Sequence, residues 1–338
     1  MELKKRSKGL SGYSGVRQLC SALVVAAGLA VTQGAVNAKT LRSADVHPNN
    51  YPTVESVNYM SERLKEMTNG DLDIKVFGSG QLGNEKATLE QTRFGVLDMN
   101  RITLGEINNL VEDTVVLSLP YVFRSKEHMR KVVDSEIGAE MLASLEPHGL
   151  IGLAFFDAGS RNIYNSKHEV KTPSDLAGLK IRVQPSDIFL DMINTLGANA
   201  VPMGFNEMYS GLQTGVIDGT EQSWPTYEST NHVEVAKYYS LTEHLMLPEA
   251  LVMSKITYDK LTEEQKKAVH LAAQDAKYKM RDLWDAREKE SERIVREKGA
   301  VITEVDKQLF MDKVAPVQEK YLKNERLKTL FDRIQAVE

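Results

Sequence analysis

"LIGLAFFDAGSRNIYNSKHEVKTPSDLAGLKIRV", residues 150–183, sets the fold class. Its first seven residues form an unbroken apolar run, as in a strand covered on both faces. A Gly-Ser step and a cation, Arg161, follow closely. After a polar stretch, a second strand-like run, Leu179 to Val183, carries Arg182 near its end. Period-two alternation turns Arg182 away from Ile181 and Val183. Two readings fit these arginines. Arg182 can share a solvated strand face with Lys180, and Arg161 can be an ordinary loop cation. Alternatively, both belong to one site, because ligands of open α/β sheets bind beyond the carboxyl ends of strands. Two guanidiniums there would make a planar fork suited to a carboxylate, which lysine does not reproduce.

Outward from this stretch, strands and helices alternate. Val54, Val57, Met60, Leu64 and Met67 recur at helical spacing, with Gly70 placed to end the helix. "DLDIKVF" (71–77) alternates as a strand, residues 84–93 read as a short helix, and "GVLDM" (95–99) as another strand. "VVLSLPYVF" is a buried run, and helices are predicted near 125–133 and 136–146. The pattern then restarts. Ser186 precedes a helix running to Leu196, "NEMYSGLQTG" (206–215) is helical, and "VIDG" (216–219) reads as a strand. Gly-Val-Leu-Asp at 95–98 and Gly-Val-Ile-Asp at 215–218 each follow a short helix carrying Gln-Thr, a faint echo of two similarly built halves. The expectation is α/β with largely parallel, covered sheets.

The first 38 residues differ from the rest. Lys4, Lys5, Arg6, Lys8 and Arg17 precede an apolar stretch from Leu19 to Val31, and small residues close at Ala38. This is the pattern of a secretory signal peptide. Removing its five basic residues and one acidic residue leaves 37 basic against 46 acidic, a net charge of −9. Cys20, the only cysteine, leaves with it. The mature chain then has neither disulfide nor thiol nucleophile, and its acidity argues against nucleic acid as a partner.

The seven histidines show no His-Glu-x-x-His pattern, and neither a Gly-x-Ser-x-Gly elbow nor a P-loop is present. "GSGQLG" (78–83) fits Gly-x-Gly-x-x-Gly after a strand, but an exported protein meets little dinucleotide. No cofactor or metal is expected. Near the end, residues 262–299 carry a capping box, Thr262 with Gln265, and a stripe of Val269, Ala272, Ala276, Met280, Leu283, Ala286 and Ile294. A helix of this length must bridge lobes or form a coiled coil. Its alanine-rich stripe lacks heptads and favours bridging.

"GSRNIYNS" (159–166), "TPSDLAGLKIRV" (172–183), "MGFNEMYSGLQTGVIDGTEQSWP" (203–225) and "LVMSKITYDKLTEEQKKAV" (251–269) closely resemble the DctP-type solute-binding proteins of tripartite ATP-independent periplasmic (TRAP) transporters. The resemblance runs from about residue 40 to 335. It implies a two-lobed periplasmic binding protein, type II-like, that closes on its ligand by a hinge. The lobes are expected as 39–158 with 246–287 and 159–245 with 288–338, the long helix crossing both. The resemblance also implies Arg182 as the main carboxylate anchor, Arg161 as a second basic contact, and Gln222 where the family commonly carries Asn. "DVHPNNYPT" (45–53), "GQLGNEKATLEQT" (80–92) and "RVQPSDIF" (182–189) look like members that take sugar acids, especially hexuronates. His47, Asn50, Glu85 and Gln184 would then serve hydroxyls. A C4-dicarboxylate would need a second cation, for which Arg161 and Arg101 are candidates. Glu85 can also be a helix cap, and His47 and Asn50 turn residues before Pro52. Trp224 can stack on a sugar or fill the core. Implied partners are a small-molecule carboxylate and the small and large membrane subunits of a transporter, with a monomeric receptor. Two other classes stay open: a secreted sugar-acid lyase or isomerase using Asp157 or His47 as base, and a sensory input protein of the same fold.

Overall fold

The structure, a computed structural model, describes residues 38–338; the expected leader lies outside these residues apart from Ala38. Eleven strands follow in order: β1 Lys39–Ala44, β2 Leu72–Phe77, β3 Met99–Thr103, β4 Leu150–Phe156, β5 Ser160–Asn165, β6 Lys180–Val183, β7 Asn199–Pro202, β8 Gly219–Gln222, β9 Tyr238–Met246, β10 Glu249–Ser254 and β11 Val301–Thr303. They form two sheets, ordered β2-β1-β3-β10-β4 and β11-β9-β5-β8-β6-β7.

The sheets are mixed rather than largely parallel. β2, β1 and β3 run parallel in the first, and β7, β6 and β8 in the second. β10 is antiparallel to both of its neighbours, and so is β5. These are the two strands that have just crossed from the other sheet. β4 leads through Asp157-Ala158-Gly159 into β5, and β9 through Leu247-Pro248 into β10. A strand arriving through the junction enters its new sheet from the cleft side and must run away from it. Sequence periodicity carries no information on that direction. The same geometry corrects the reading of Arg161 as a turn or loop residue, since it is the second residue of β5.

The internal echo is structural, but it is a turn and not a strand. Gly95 and Gly215 both adopt φ +74°, where a side chain is disfavoured, and end the preceding helices. Asp98 then donates its N–H to Arg42 O (3.2 Å) and accepts Arg42 N–H on its carboxylate (2.8 Å). Asp218 does the same with Lys180, at 2.8 and 2.9 Å. Each aspartate pins the lead-in of a central strand, so β3 and β8 begin only at Met99 and Gly219.

The helix Pro52–Met67 buries Val54, Val57, Met60 and Leu64. Against it packs the first part of the long helix Glu263–Glu297, which opens with the Thr262/Gln265 capping box. At 35 residues and ~1.5 Å each, this helix spans ~52 Å. Ala268, Ala272, Ala273 and Ala276 allow close approach to the first sheet's core. Further along, the helix packs on the helix Trp224–Ser229 of the second sheet, where Arg287 pairs with Glu228 at 2.5 Å. It therefore bridges both halves. Residues 288–338 do not all stay with the second sheet as expected. The helix Lys307–Tyr321 does, but the last helix, Glu325–Gln335, packs back on residues 112–118 and 136–143. Arg333 holds Glu140 there through two 2.7 Å bonds.

At the first crossing, Gly159 has φ +70°, and a Cβ there would lie 2.8 Å from the Trp284 ring of the long helix. Gly159→Ala is expected to lower unfolding free energy by about 2 kcal/mol or more, from the left-handed backbone plus the clash. Urea denaturation of the unliganded protein checks this.

Candidate functional site

The carboxyl ends of β1, β3, β6 and β8 meet the amino ends of β5 and β10 at the junction. The cavity between them is lined by Val46, His47, Glu85, Thr103, Ala158, Arg161, Arg182, Gln184, Phe205, Gln222, Thr226 and Glu249. The empty space among these residues, counting what is open to solvent, is about 310 Å³. The two sides touch around it. Tyr51 Oη and Thr226 Oγ1 are 2.9 Å apart, and Thr103 Oγ1 donates to Gln184 Oε1 at 3.1 Å. Gly105 accommodates that Gln184 oxygen at a position where a Cβ would lie 1.7 Å from it. This is a closed arrangement.

Arg182 is the cation left unmatched. Ile181 and Val183 enter the apolar core, so Arg182 faces the cavity wall while only 2% exposed. Its Nε donates to Met203 O at 2.8 Å, and Nη1 is buried without a hydrogen-bond partner among the described residues. Burial pulls its pKa down to about 10; attraction to Glu221 opposes this, and repulsion by Arg161 adds to it. A buried guanidinium with an orphaned donor is strongly stabilised by an incoming anion.

The other two arginines are occupied. Arg161 gives Nη2 to Glu221 Oε1 at 2.7 Å and to Glu221 O at 2.8 Å, with Nε on Oε2. Burial raises the Glu221 carboxyl, but the Arg161 charge and hydrogen bonds outweigh it and bring it to about 2. Arg101 does not line the cavity. It lies beneath the first-sheet wall, bound to Asp45 (2.5 and 3.2 Å) and Glu85 (2.7 Å), with Glu249 Oε1 at 3.2 Å. Its expected role as a ligand cation is therefore corrected, because surrounding carboxyls hold its donors.

Of the residues expected to serve hydroxyls, Glu85, His47 and Gln184 reach the cavity and Asn50 does not. Asn50 is exposed in a separate surface groove beside Pro52, Glu55 and Arg287. Asn84, not Glu85, caps the helix, accepting Ala87 N–H at 2.9 Å. That leaves Glu85 to receive Arg101 and the Thr103 backbone N–H. The His47 ring stacks on Tyr51 at 3.8 Å and meets Phe205 edge-on at 4.9 Å across the cleft. Burial first, then Arg101, depress its pKa to about 3, and its Nδ1 has no partner. Gln222 lines the cavity at the end of β8. Trp224 does not: it stacks on Tyr239 at 4.0 Å inside the second sheet's aromatic core. The aromatic wall is Phe205.

Glu249, Thr103, Phe205 and Thr226 were not anticipated. Glu249 carried a usable signal, a lone charge immediately before the all-apolar Ala250–Met253, comparable to Arg182 in its own run. Asp157, the candidate base, lies outside the cavity lining and is held by Arg130 through bonds of 2.8 and 2.5 Å. Among the described residues, no cluster of three or more His, Cys, Asp or Glu side chains is arranged to hold a metal.

Two sheets around a polar cavity at their junction have the architecture of a small-molecule binding protein. The chain belongs to the DctP family, the bacterial extracellular solute-binding proteins, family 7, matched over residues 43–324. A solute-binding protein of Chromohalobacter salexigens is 39% identical over 300 residues, covering 88% of this chain and 89% of that one. Among solved structures, a TRAP periplasmic solute-binding protein from Bradyrhizobium in complex with galacturonate superposes with TM-score 0.87. It is 49% identical and covers 88% of this chain and 99% of that one. One from Pseudomonas putida with bound D-glucuronate has TM-score 0.86 and 43% identity, covering 89% and 98%. No helix among the described residues is long and apolar enough to cross a membrane.

Glu221→Gln removes the charge partner of a buried arginine and should lower stability by about 3 kcal/mol or more. Because the folded carboxyl is depressed, its contribution is present above the ordinary value of 4.5 and is lost as pH falls toward about 2. The gap between wild type and variant in chemical denaturation should therefore narrow over that acidic window.

Proposed function

We propose that the chain is a periplasmic receptor for a hexuronate such as glucuronate or galacturonate, and that it delivers the acid to TRAP membrane subunits without covalent chemistry. The observation that carries this reading is the Arg182 guanidinium, buried at an enclosed cavity with Nη1 unpartnered. A single carboxylate matches it.

The opposite wall supports a hydroxylated remainder over a second carboxylate. Glu85 and Glu249 line the first-sheet side with Asp45 beneath them, and Arg101 is already shared among all three. A dicarboxylate would place its second charge among these acids with no cation left for it. Sugar hydroxyls would instead donate to Glu85 and the Gln184 and Gln222 amides, with Phe205 covering an apolar ring face. The relatives bound to galacturonate and glucuronate point the same way. Such a ligand ties the cationic wall of one lobe to the acidic wall of the other and so favours the closed state. The lobes in this reading are 39–158 with 246–287 and 159–245 with 288 to about 321, the last helix clasping the first lobe. Asp157 being held by Arg130 outside the cavity supports a receptor over a lyase or isomerase.

A melting-temperature screen of the leaderless protein tests the reading. Uronates in hundred- to thousandfold excess over the dissociation constant should stabilise it by about 3–4 kcal/mol, without product formation, and C4-dicarboxylates should do far less. Arg182→Lys should abolish most of the uronate shift and leave the unliganded melting point nearly unchanged. A collapse of the unliganded protein, or turnover of the acid, would contradict the proposal.

A further inference from the structure

Glu249 is a cavity carboxyl to which the ligand reading assigns no hydrogen bond. It opens β10, is 3% exposed and lines the cavity on the wall facing Arg161 and Arg182. Its Oε1 lies 3.2 Å from Arg101 Nη1, while Oε2 is buried with no partner among the described residues. A buried carboxyl oxygen without a partner is costly in a closed protein. Arg182 Nη1, His47 Nδ1 and Glu249 Oε2 are orphaned polar atoms on three residues that line one cavity, and a ligand there is placed to supply missing bonds.

We propose that Glu249 is a specificity residue that reads an oxygen in the hydroxyl-bearing part of the ligand through Oε2, while Arg182 holds the carboxylate. The inference rests on the sugar-acid reading and deepens it.

The charge balance around Arg101 determines the chemistry of that contact. Three carboxyls, from Asp45, Glu85 and Glu249, share one guanidinium. Asp45 receives two direct bonds from it and is lowered below its ordinary value. Glu249 is the acid left with the longest contact. Burial raises its pKa to about 8; Arg101 and Arg161 act against this, and Glu85 and Asp45 reinforce it. The other polar groups nearby are the Tyr51 hydroxyl, itself influenced by Glu249, and neutral His47 and Thr103 in the cavity wall. On the second-sheet side Glu221 is neutralised by Arg161, with His244 Nε2 3.6 Å from it. At neutral pH Glu249 is therefore a carboxylic acid. It donates its O–H to a ligand hydroxyl or ring oxygen, adding no negative charge next to a bound anion. As pH rises through about 8 the donor becomes a carboxylate, and uronate affinity should fall.

The test is calorimetric titration of the leaderless protein with D-galacturonate and D-glucuronate from pH 6 to 9, in wild type, E249A and E249Q. E249A is expected to weaken both acids by about tenfold or more, as for one lost buried hydrogen bond. E249Q, which keeps a neutral donor, should recover part of that loss. It should also lack the wild-type decline between pH 7 and 9. Glu106, whose burial raises its pKa to about 7 beside Glu85 and Arg182, and Arg182 itself titrate alike in both proteins, so the difference between the profiles isolates Glu249. If E249A fails to fold, the E249Q profile decides. Affinities within twofold of wild type in both variants, or an E249Q profile that still declines like wild type, would overturn this inference while leaving the uronate receptor standing. A wild-type protein that binds neither acid at pH 7 would remove the ligand reading and this inference together.

Discussion

A chain that leaves one sheet at a cleft has to enter the next sheet from that same cleft. This constraint organises the molecule. It makes β5 and β10 antiparallel in otherwise parallel surroundings, and it brings their first residues beside the last residues of β1, β3, β6 and β8. Arg161 and Glu249 reach the cavity by starting a strand, Thr103, Arg182 and Gln222 by ending one. The site is built from both strand directions because the connections cross twice.

Electrostatics in the cavity follow from the same placement. Each wall contributes a buried arginine with its own carboxyl partners, Arg101 with Asp45, Glu85 and Glu249, and Arg161 with Glu221. These groups are costly to bury and lower that cost mutually. Arg182 has no such partner at Nη1. The protein thus holds one fixed positive charge at the cavity wall, surrounded by acceptors and neutral donors. An anion arriving there would meet a charge already fixed in place, with little ordering left to do.

Several elements tie the halves together. The long helix lies on both, Trp284 packs against the left-handed Gly159 at the first crossing, and the last helix returns to the first lobe. Contacts across the cleft include the hydrogen bonds Tyr51–Thr226 and Thr103–Gln184 and the edge-on His47–Phe205 pair. Such contacts separate more readily than an apolar core, and bound ligand adds to them directly.

The local sequence determined the elements and the face of β6 on which Arg182 stands. Apolar periodicity placed the helix Pro52–Met67, β4 and β6, Thr262 with Gln265 placed the start of the long helix, and alternation set Arg182 apart from Ile181 and Val183. These features depend on neighbours within a few residues, so they are legible without a fold. Strand direction, the turn at Asp98 and Asp218, and the return of the last helix depend on segments many residues away. So do the removal of Asn50 and Trp224 from the site and the occupation of Arg101 and Arg161 by Asp45, Glu85, Glu249 and Glu221. A charge is free or paired according to what folds against it, and only the tertiary structure decides which of three arginines keeps a buried donor without a partner.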